Sequence, residues 1–424
     1  MSEKDKNGKG KKQTGADIKK RSVSAPASRP EKKRAVHTDL NSVRKNERSI
    51  RNLKKILAVL IVVFVGLGIY VTYPKWLPKL EGIFDKPVST ITNDGELEGG
   101  NFPIEQDDAA AKIYAVKNSL LAADSHTLTF YDENGKERGS YNHAFSTPVA
   151  RVSGKRVLVF DSGKTDFKIY NKGGEVYSKS AENDILTASL GEDGTAAVLV
   201  SSEKYPTTLL IYDSEGKLIY RYNCTHRIMS AAVDPDGSGC YVTTFASENG
   251  EVYSQVRRID FDSSDEKMIS EKLNCLALDC VENSAGNITV VGDSAIYTLD
   301  GDGKVISSAA YDGNLTAYAM DEDCTAVSLS GTVKNSGKLI IAQADAKSDE
   351  SYRVISDTED VSALEITDKR IIMISPTQAL AYTFNGTLAA KATLTREYYG
   401  CTYINSGLYL ISKHGIDKMA FKME

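Results

Sequence analysis

The stretch IYDSEGKLIYRY, residues 211–222, decides the fold of this chain. Two apolar and aromatic runs flank an Asp-Ser-Glu-Gly turn, which is the pattern of a β-hairpin. In a type I turn Gly216 would take a positive φ, which glycine adopts without Cβ strain, and Asp213 would cap the turn's N–H groups. Related strings recur as FYDENGKERGSY (130–141), IYNKGGEVYSKS (169–180) and TLDGDGKVISSA (298–309). The recurrence predicts one such hairpin in each unit of a repeat.

Compact apolar runs give the length of the repeat. A four-stranded propeller blade takes about 40–45 residues. The second strand of each unit is continuously apolar, as expected for a strand buried on both faces, and the fourth carries charge, as expected for an outer edge. Residues 108–424 are therefore predicted to form an all-β, eight-bladed β-propeller, with seven blades plus an irregular unit as the alternative. The runs are centred 36 to 48 residues apart, on Leu121, Val157, Val198, Val242, Val290, Val327, Ile372 and Leu410.

The strand count predicts how the ring closes. Eight first, second and third strands are present, but only seven fourth strands, because the last third strand ends the chain. Residues 74–107 are predicted to be a linker plus the missing strand, placed at GNFPIEQ (100–106). It would pair with the terminal strand around residues 415–423 and leave no free sheet edge at the closure.

The N-terminal part differs in charge and hydropathy. Residues 1–55 carry 18 Lys/Arg and 6 Asp/Glu, and residues 74–424 carry 34 Lys/Arg and 51 Asp/Glu. Between them ILAVLIVVFVGLGIYVTY (56–73) has no charge and as a helix would cover roughly 27 Å, near the thickness of a bilayer core. We predict an uncleaved transmembrane helix. A cleaved signal peptide is the alternative, but 55 residues precede the run and no small-residue cleavage site follows it.

The charge asymmetry predicts the topology. By the positive-inside rule residues 1–55 lie in the cytoplasm and the propeller is extracellular, in a single-pass protein of the cell membrane. The basic tail has too few apolar residues to fold and is predicted to be disordered. Attraction of this tail to anionic lipid is a further interpretation. No specific nucleic-acid partner is predicted.

Cysteine and histidine positions do not predict a metal site. The six cysteines all follow residue 223 with spacings that match no zinc pattern, and they are predicted to be buried core residues. A disulfide such as Cys224–Cys240 is the alternative. The Asp-Gly and Asp-Glu-Asp strings at 300–303 and 321–323 are interpreted as turns, since the closing Glu of a calcium loop is missing. No cofactor or metal is predicted.

Candidate partner-binding residues come from the connections between strands. We call the side carrying connections after first and third strands the turn face, and the side carrying those after second and fourth strands the loop face. The loop-face connections, including 246–252, are expected to be longer and to hold aromatic, His and Arg side chains, which are common at binding hot spots. Ordinary loop packing is the alternative. The predicted residues are Tyr141, His143, Phe145, Tyr205, His226, Arg227, Tyr398 and Tyr399.

Two turn strings carry a family resemblance. AVDPDGSG (232–239) and YDSEGKLIY (212–220) resemble the turns of YVTN- and quinoprotein-like propellers. The arrangement of basic tail, single span and repeat domain resembles an uncharacterised family of bacterial membrane-anchored propellers. No Trp follows residue 76, so the tryptophan positions of quinone-binding and sialidase-like propellers are absent. The resemblance implies a fold and an anchor but no chemistry.

The sequence predicts a non-enzymatic function. No catalytic or nucleotide-binding motif stands in a fitting context. We therefore expect a binding or scaffold module for a protein, peptide or cell-wall polymer. A lyase or hydrolase that uses the propeller's central pocket is the alternative, which clustered carboxylates with perturbed pKa values in a pocket would favour.

Overall fold

Short antiparallel strands make up the regular structure of the chain. The computed structural model describes residues 90–106, 108, 110–263, 266–333, 336–344 and 352–423. These residues form 32 strands, of which β1 (Ile91–Thr92) precedes the repeat. The other strands form eight consecutive sheets in which sequence neighbours pair. The eight-bladed prediction is confirmed, and the seven-bladed alternative is wrong.

The first four blades each contain four strands. Blade 1 contains β2 (Lys112–Val116), β3 (Ser119–Ala123), β4 (Thr127–Tyr131) and β5 (Glu137–Asn142). Blade 2 contains β6 (Pro148–Ser153), β7 (Arg156–Asp161), β8 (Asp166–Asn171) and β9 (Gly174–Ser180). Blade 3 contains β10 (Ile185–Leu190), β11 (Ala196–Val200), β12 (Thr207–Tyr212) and β13 (Leu218–Cys224). Blade 4 contains β14 (Arg227–Val233), β15 (Gly239–Glu248), β16 (Glu251–Asp260) and β17 (Glu266–Ile269).

The last four blades follow the same order, except that blade 8 has three regular strands. Blade 5 contains β18 (Ala277–Glu282), β19 (Ile288–Gly292), β20 (Ala295–Leu299) and β21 (Val305–Ala310). Blade 6 contains β22 (Asn314–Met320), β23 (Cys324–Ser330), β24 (Gly337–Gln343) and β25 (Arg353–Thr358). Blade 7 contains β26 (Ala363–Thr367), β27 (Arg370–Ile374), β28 (Gln378–Thr383) and β29 (Leu388–Thr393). Blade 8 contains β30 (Gly400–Ile404), β31 (Gly407–Ser412) and β32 (Gly415–Ala420).

Burial explains the order of strands within a blade. First strands of neighbouring blades contact each other around the ring, as between β10 and β14 or β2 and β30. In blade 3 the second and third strands, β11 and β12, are buried along their whole length because apolar side chains of adjacent blades pack on both faces. The fourth strand, such as β13, alternates between exposed and half-buried residues. The core is therefore a series of layers between the blades.

The Asp-x-x-Gly turns form as predicted. In blade 3 the Asp213 carboxylate accepts the N–H groups of Glu215 at 3.0 Å and Lys217 at 2.9 Å. The Gly216 N–H donates to the Asp213 carbonyl at 2.9 Å, and Gly216 has a φ of 81°. The turns at Asp132 and Asp300 repeat these bonds. The Asp side chain at the first position therefore caps the turn, as predicted, in blades 1, 3 and 5.

Residues 90–104, the closing segment, contact the terminal strand β32 as predicted, but through two isolated bridges and not as the regular fourth strand predicted at residues 100–106. The N–H of Ile104 donates to the Ile416 carbonyl at 2.9 Å, and the N–H of Ile416 donates to the Ile104 carbonyl at 2.8 Å. A second bridge joins Leu97 to Met419. Between the bridges the segment is irregular, since Pro103 has no N–H to donate. Further back, β1 pairs parallel to β29 of blade 7, a contact that the sequence did not predict.

All six cysteines are free thiols, and five of them are buried. Cys224 and Cys240, the pair weighed as a disulfide, lie in one hydrophobic cluster between blades 3 and 4 without a bond between them. The prediction of small core residues is confirmed for these two.

The predicted membrane span and tail, residues 1–73, lie outside the described residues. Among the residues that the structure does describe, none belongs to a helix suited to crossing a bilayer.

Candidate functional site

Three of the predicted residues, in and after the last strand of blade 1, pack at the junction of blades 1 and 2. His143 is fully buried, and its Nδ1 accepts the Phe145 N–H at 3.1 Å, so that Nε2 donates to the Asp124 carbonyl at 3.2 Å. Burial lowers the pKa of His143, which keeps the ring neutral. Tyr141 donates its hydroxyl to the Lys172 carbonyl of blade 2 at 3.0 Å. Tyr141 and Phe145 both pack against the cluster between blades 1 and 2.

His226 is held in a network that joins blades 3 and 4. The Arg257 guanidinium donates to His226 Nδ1 at 2.9 Å and to the Glu266 carboxylate at 2.8 and 2.9 Å. The Tyr222 hydroxyl of β13 donates to the same carboxylate. Burial, followed by the charge of Arg257, lowers the pKa of His226. His226 therefore contributes to the blade junction, while its neighbour Arg227 is exposed at the start of β14.

The adjacent tyrosines in the connection between blades 7 and 8 have opposite environments. Tyr398 is 3% exposed and donates its hydroxyl to Asp417 at 2.9 Å. Tyr399 is 39% exposed and lines a loop-face cavity of about 610 Å³ with Arg396, Lys413 and His414. Replacing both tyrosines together would therefore confound folding with binding.

The eight predicted residues do not form one site. They are distributed over the junctions of blades 1–2, 3–4 and 7–8, and Tyr205 is half-buried in a separate connection of blade 3. Loop packing accounts for His143 and Tyr398. A role in partner binding stays a prediction for the accessible residues, above all Arg227 and Tyr399.

A groove on the loop face beside blade 4 was not predicted from the sequence. Residues 246–252, predicted as a loop, form the end of the β15–β16 hairpin, which closes at Asn249 and Gly250 with φ values of 53° and 87°. Positive φ at both positions is the type I′ geometry that matches the twist of a hairpin. The Asn-Gly dipeptide was the available signal for this turn, so the loop interpretation was wrong.

The hairpin forms one wall of this groove. The groove has a volume of about 660 Å³ and continues to blade 5 through Asn274–Leu276 and the Asp293–Ser294 turn. Its apolar lining includes Met229, Phe245 and Val252, and Val252 is 54% exposed. Arg227, one of the predicted residues, stands in the same groove. A set of apolar side chains is thus open to solvent beside one cation.

A second cavity, of about 490 Å³, opens on the turn face where the first strands of blades 2–6 end. Burial raises the pKa of Glu282 and of Asp321. Asp234 is paired with Arg258, at 2.5 Å between Oδ1 and Nη1. The Asp321 carboxylate accepts the N–H groups of Asp323 and Cys324, which is the capping bond of a turn. The carboxylates that line this cavity are Glu192, Asp234, Glu282, Asp321, Glu322 and Asp323.

Comparison with known proteins gives the family. A model described as a family of unknown function (DUF5711) matches residues 101–421. The chain belongs to the DUF5711 family. The matched range begins in the closing segment and ends after β32, so the DUF5711 region coincides with the complete ring. The search of curated proteins finds no match.

Solved structures resemble the DUF5711 ring in fold. The computationally designed Ika8 protein has a TM-score of 0.55 at 10% sequence identity, with 75% of this chain and 98% of that chain covered. BamB from Moraxella catarrhalis has a TM-score of 0.49 at 13% identity, with 78% of this chain and 98% of that chain covered. The likeness to Ika8 concerns the fold alone, and the likeness to BamB supports no functional inference.

Proposed function

We propose that this DUF5711 protein is a membrane-anchored, non-enzymatic binding module that captures an extended segment of another protein on its loop face. The observation that carries the proposal is the free strand edge of β15 beside the apolar groove. β14 begins at Arg227, opposite Phe245, so Ala246–Glu248 continue beyond it with no described strand on that side.

A free edge of this kind accepts an additional strand. In an antiparallel ladder successive residues direct their N–H and C=O groups to alternate sides. Glu248 faces Glu251 across the two-residue turn, which directs the N–H and C=O groups of Ser247 away from β16. An extended peptide would bond to this edge through its main chain, and pockets for its side chains would supply specificity.

The groove beside the edge fits an apolar side chain. Phe245 and Val252 line the wall formed by the hairpin, and Met229 lies at the start of blade 4. Arg227 and Asp293 are the charged residues of the lining. An apolar anchor flanked by one acidic residue, which Arg227 would pair, is the partner chemistry that this arrangement favours.

The anchor and orientation belong to the same proposal. A helix at residues 56–73 would hold the ring outside the cell, with the basic tail in the cytoplasm.

Protease added to intact cells is expected to digest the ring region and to spare the tail. Digestion of the tail with protection of the ring would contradict this orientation.

Replacing Val252 with Asp tests the groove. Peptides are selected against the full chain from a random display library, and their dissociation constants are then measured for each variant. Val252→Asp is expected to weaken binding by about 10-fold or more, because a carboxylate in the groove loses apolar contact and costs desolvation. Val354→Asp is the matched control, since Val354 on β25 is also 54% exposed. If the peptides bound both variants as tightly as the original chain, the groove would not be their binding site. Equal loss of binding to both variants would also contradict the proposal.

The acidic cavity on the turn face supports a second candidate, hydrolysis or elimination on a wall polymer. Carboxylates with raised pKa values in a cavity, here Glu282 and Asp321, are the feature that favours an enzyme. Turnover of such a polymer by the purified chain that Glu282→Gln abolishes would favour this candidate over the binding module.

A further inference from the structure

A cavity of about 440 Å³ lies on the turn face between blades 7 and 8. It is formed by the turn that joins β26 to β27, the turn that joins β30 to β31, and the residues that follow β32. Its polar lining consists of Asp368, Lys369, Arg370, Tyr403, Ser406 and Lys422. This cavity is on the opposite side of the ring from the groove of the proposed function.

The charge of this cavity is opposite to that of the acidic cavity on the same face. Three cations and one carboxylate line it, whereas the other large cavity on this face is lined by carboxylates. Within the described part of the chain, Lys369, Arg370 and Lys422 form no ion pair within 4.0 Å. Among the described residues, three cations thus face one carboxylate in the lining, and none of the three is held in an ion pair.

Arg370 lacks an acceptor for one of its donors. Its Nη1 donates to the Lys369 carbonyl at 3.1 Å, but its Nε is out of contact with solvent and has no hydrogen-bond partner among the described residues. Leaving a buried donor of a charged group unsatisfied is costly, and such groups are rare in native proteins. An anion bound in the cavity would satisfy this donor if the guanidinium turned its Nε toward the cavity.

The other cations are held by local structure. Lys422 donates its N–H to the Asn93 side-chain oxygen at 2.9 Å, and the Asn93 amide returns a bond to the Lys422 carbonyl at 3.2 Å. Lys369 has a φ of 58°, a left-handed conformation that is disfavoured for a lysine. Contacts with Asn93 thus fix the backbone of Lys422, and a tight turn fixes that of Lys369. Both residues line the same cavity.

We propose that this cavity binds an oxyanion of the phosphate type, free or as a phosphate ester. A guanidinium and two ammonium groups match the charge and the several acceptor oxygens of a phosphate. The Ser406 hydroxyl adds a neutral donor in the lining. A phosphate ester from a small molecule or from a lipid headgroup presents the same chemistry.

Calorimetric titration of the purified full chain tests the proposal. The probes are inorganic phosphate, glycerol phosphate and short-chain phosphatidylglycerol, with acetate at equal ionic strength as the comparison. We expect one saturable site for at least one phosphate probe and at least about 10-fold weaker binding in Arg370→Gln, because a charge-assisted bond is lost. Competition among the probes identifies whether the small ester or the lipid is preferred.

The matched control is Arg353→Gln, at an exposed arginine of neighbouring blade 6. It is expected to leave binding unchanged. Lys422→Gln is the second test variant, so that misfolding of one variant does not remove the test. The unfolding temperature of Arg370→Gln is expected to equal or exceed that of the original chain, because the Arg370 Nε has no hydrogen-bond partner among the described residues. Absence of binding for all three phosphate probes, or equal binding in both cavity variants, would overturn the proposal.

Discussion

Deletion of residues 90–104 is expected to destabilise the ring by about 5 kcal/mol or more and to make its unfolding less cooperative. The segment buries Phe102, 7% exposed, and Ile104, 8% exposed, in the cluster between blades 8 and 1. Truncating a buried Phe or Ile alone costs about 2–5 kcal/mol, and an ordinary domain has only about 5–15 kcal/mol to lose. The deletion also uncovers the edges of β29 and β32, which would then pair between copies.

Scanning calorimetry and sedimentation measure this effect. Phe102→Ala should give an intermediate loss, because its ring packs at 5.9 Å from that of Tyr409 while the backbone bridges remain. A deletion of equal length within residues 1–55 is the control and should not change the transition of the ring. An unchanged melting curve after deletion of residues 90–104 would contradict the closure.

Glu365→Gln is expected to stabilise the ring at alkaline pH. Glu365 lies on β26, and its Oε1 accepts the Thr402 hydroxyl of blade 8 at 3.0 Å. Its Oε2 is out of contact with solvent and has no partner among the described residues. Burial raises the pKa of Glu365 from 4.5 to about 7. The folded ring therefore favours the protonated acid, which glutamine resembles in shape.

The sign of the pH dependence follows from proton binding. Between pH 4.5 and about 7 the folded state binds more protons at Glu365 than the unfolded state does, so stability falls as pH rises through this window. At about pH 8 Glu365→Gln should raise the free energy of unfolding by about 3 kcal/mol, and below about pH 4 by little. Denaturant unfolding across this range measures the difference.

A replacement in an exposed loop provides the comparison. Glu203→Gln in blade 3 should leave the free energy of unfolding close to that of the original chain. A stabilisation by Glu365→Gln that is the same at every pH would exclude ionisation of Glu365 as its cause.

Local chemistry explains which parts of the fold could be predicted. Asp213 and Gly216 determine their turn through bonds to residues at most four positions away, so the sequence contains the whole interaction. Ring closure was also predictable, because it followed from counting strands. The pairing of β1 with β29 was not, since Ile91 and Thr92 form a two-residue strand with no pattern and contact residues about 300 positions later.

The candidate site was less predictable, because exposure depends on distant partners. Tyr398 and Tyr399 are the same residue type in adjacent positions, yet only Tyr398 meets Asp417. The sequence pattern of the loop does not contain that difference. Arg370 was not predicted, because it follows a short turn on the turn face, whereas the predicted binding residues lie in the longer connections of the loop face. The Asp-Lys-Arg string at 368–370, in a domain rich in acidic turns, was the signal for it.

The buried thiols give the ring internal reporters of local opening. A thiolate is the species that alkylating reagents attack, and burial raises the pKa of the Cys240, Cys280 and Cys324 thiols and that of Cys275 to about 12. Labelling at neutral pH therefore requires a blade to separate from its neighbour. Peptide mapping of partly labelled protein would rank the blades by how readily they open, and in this way show where the ring first comes apart. The reporters are the five buried cysteines: Cys224 in blade 3, Cys240 in blade 4, Cys275 and Cys280 in or beside blade 5, and Cys324 in blade 6.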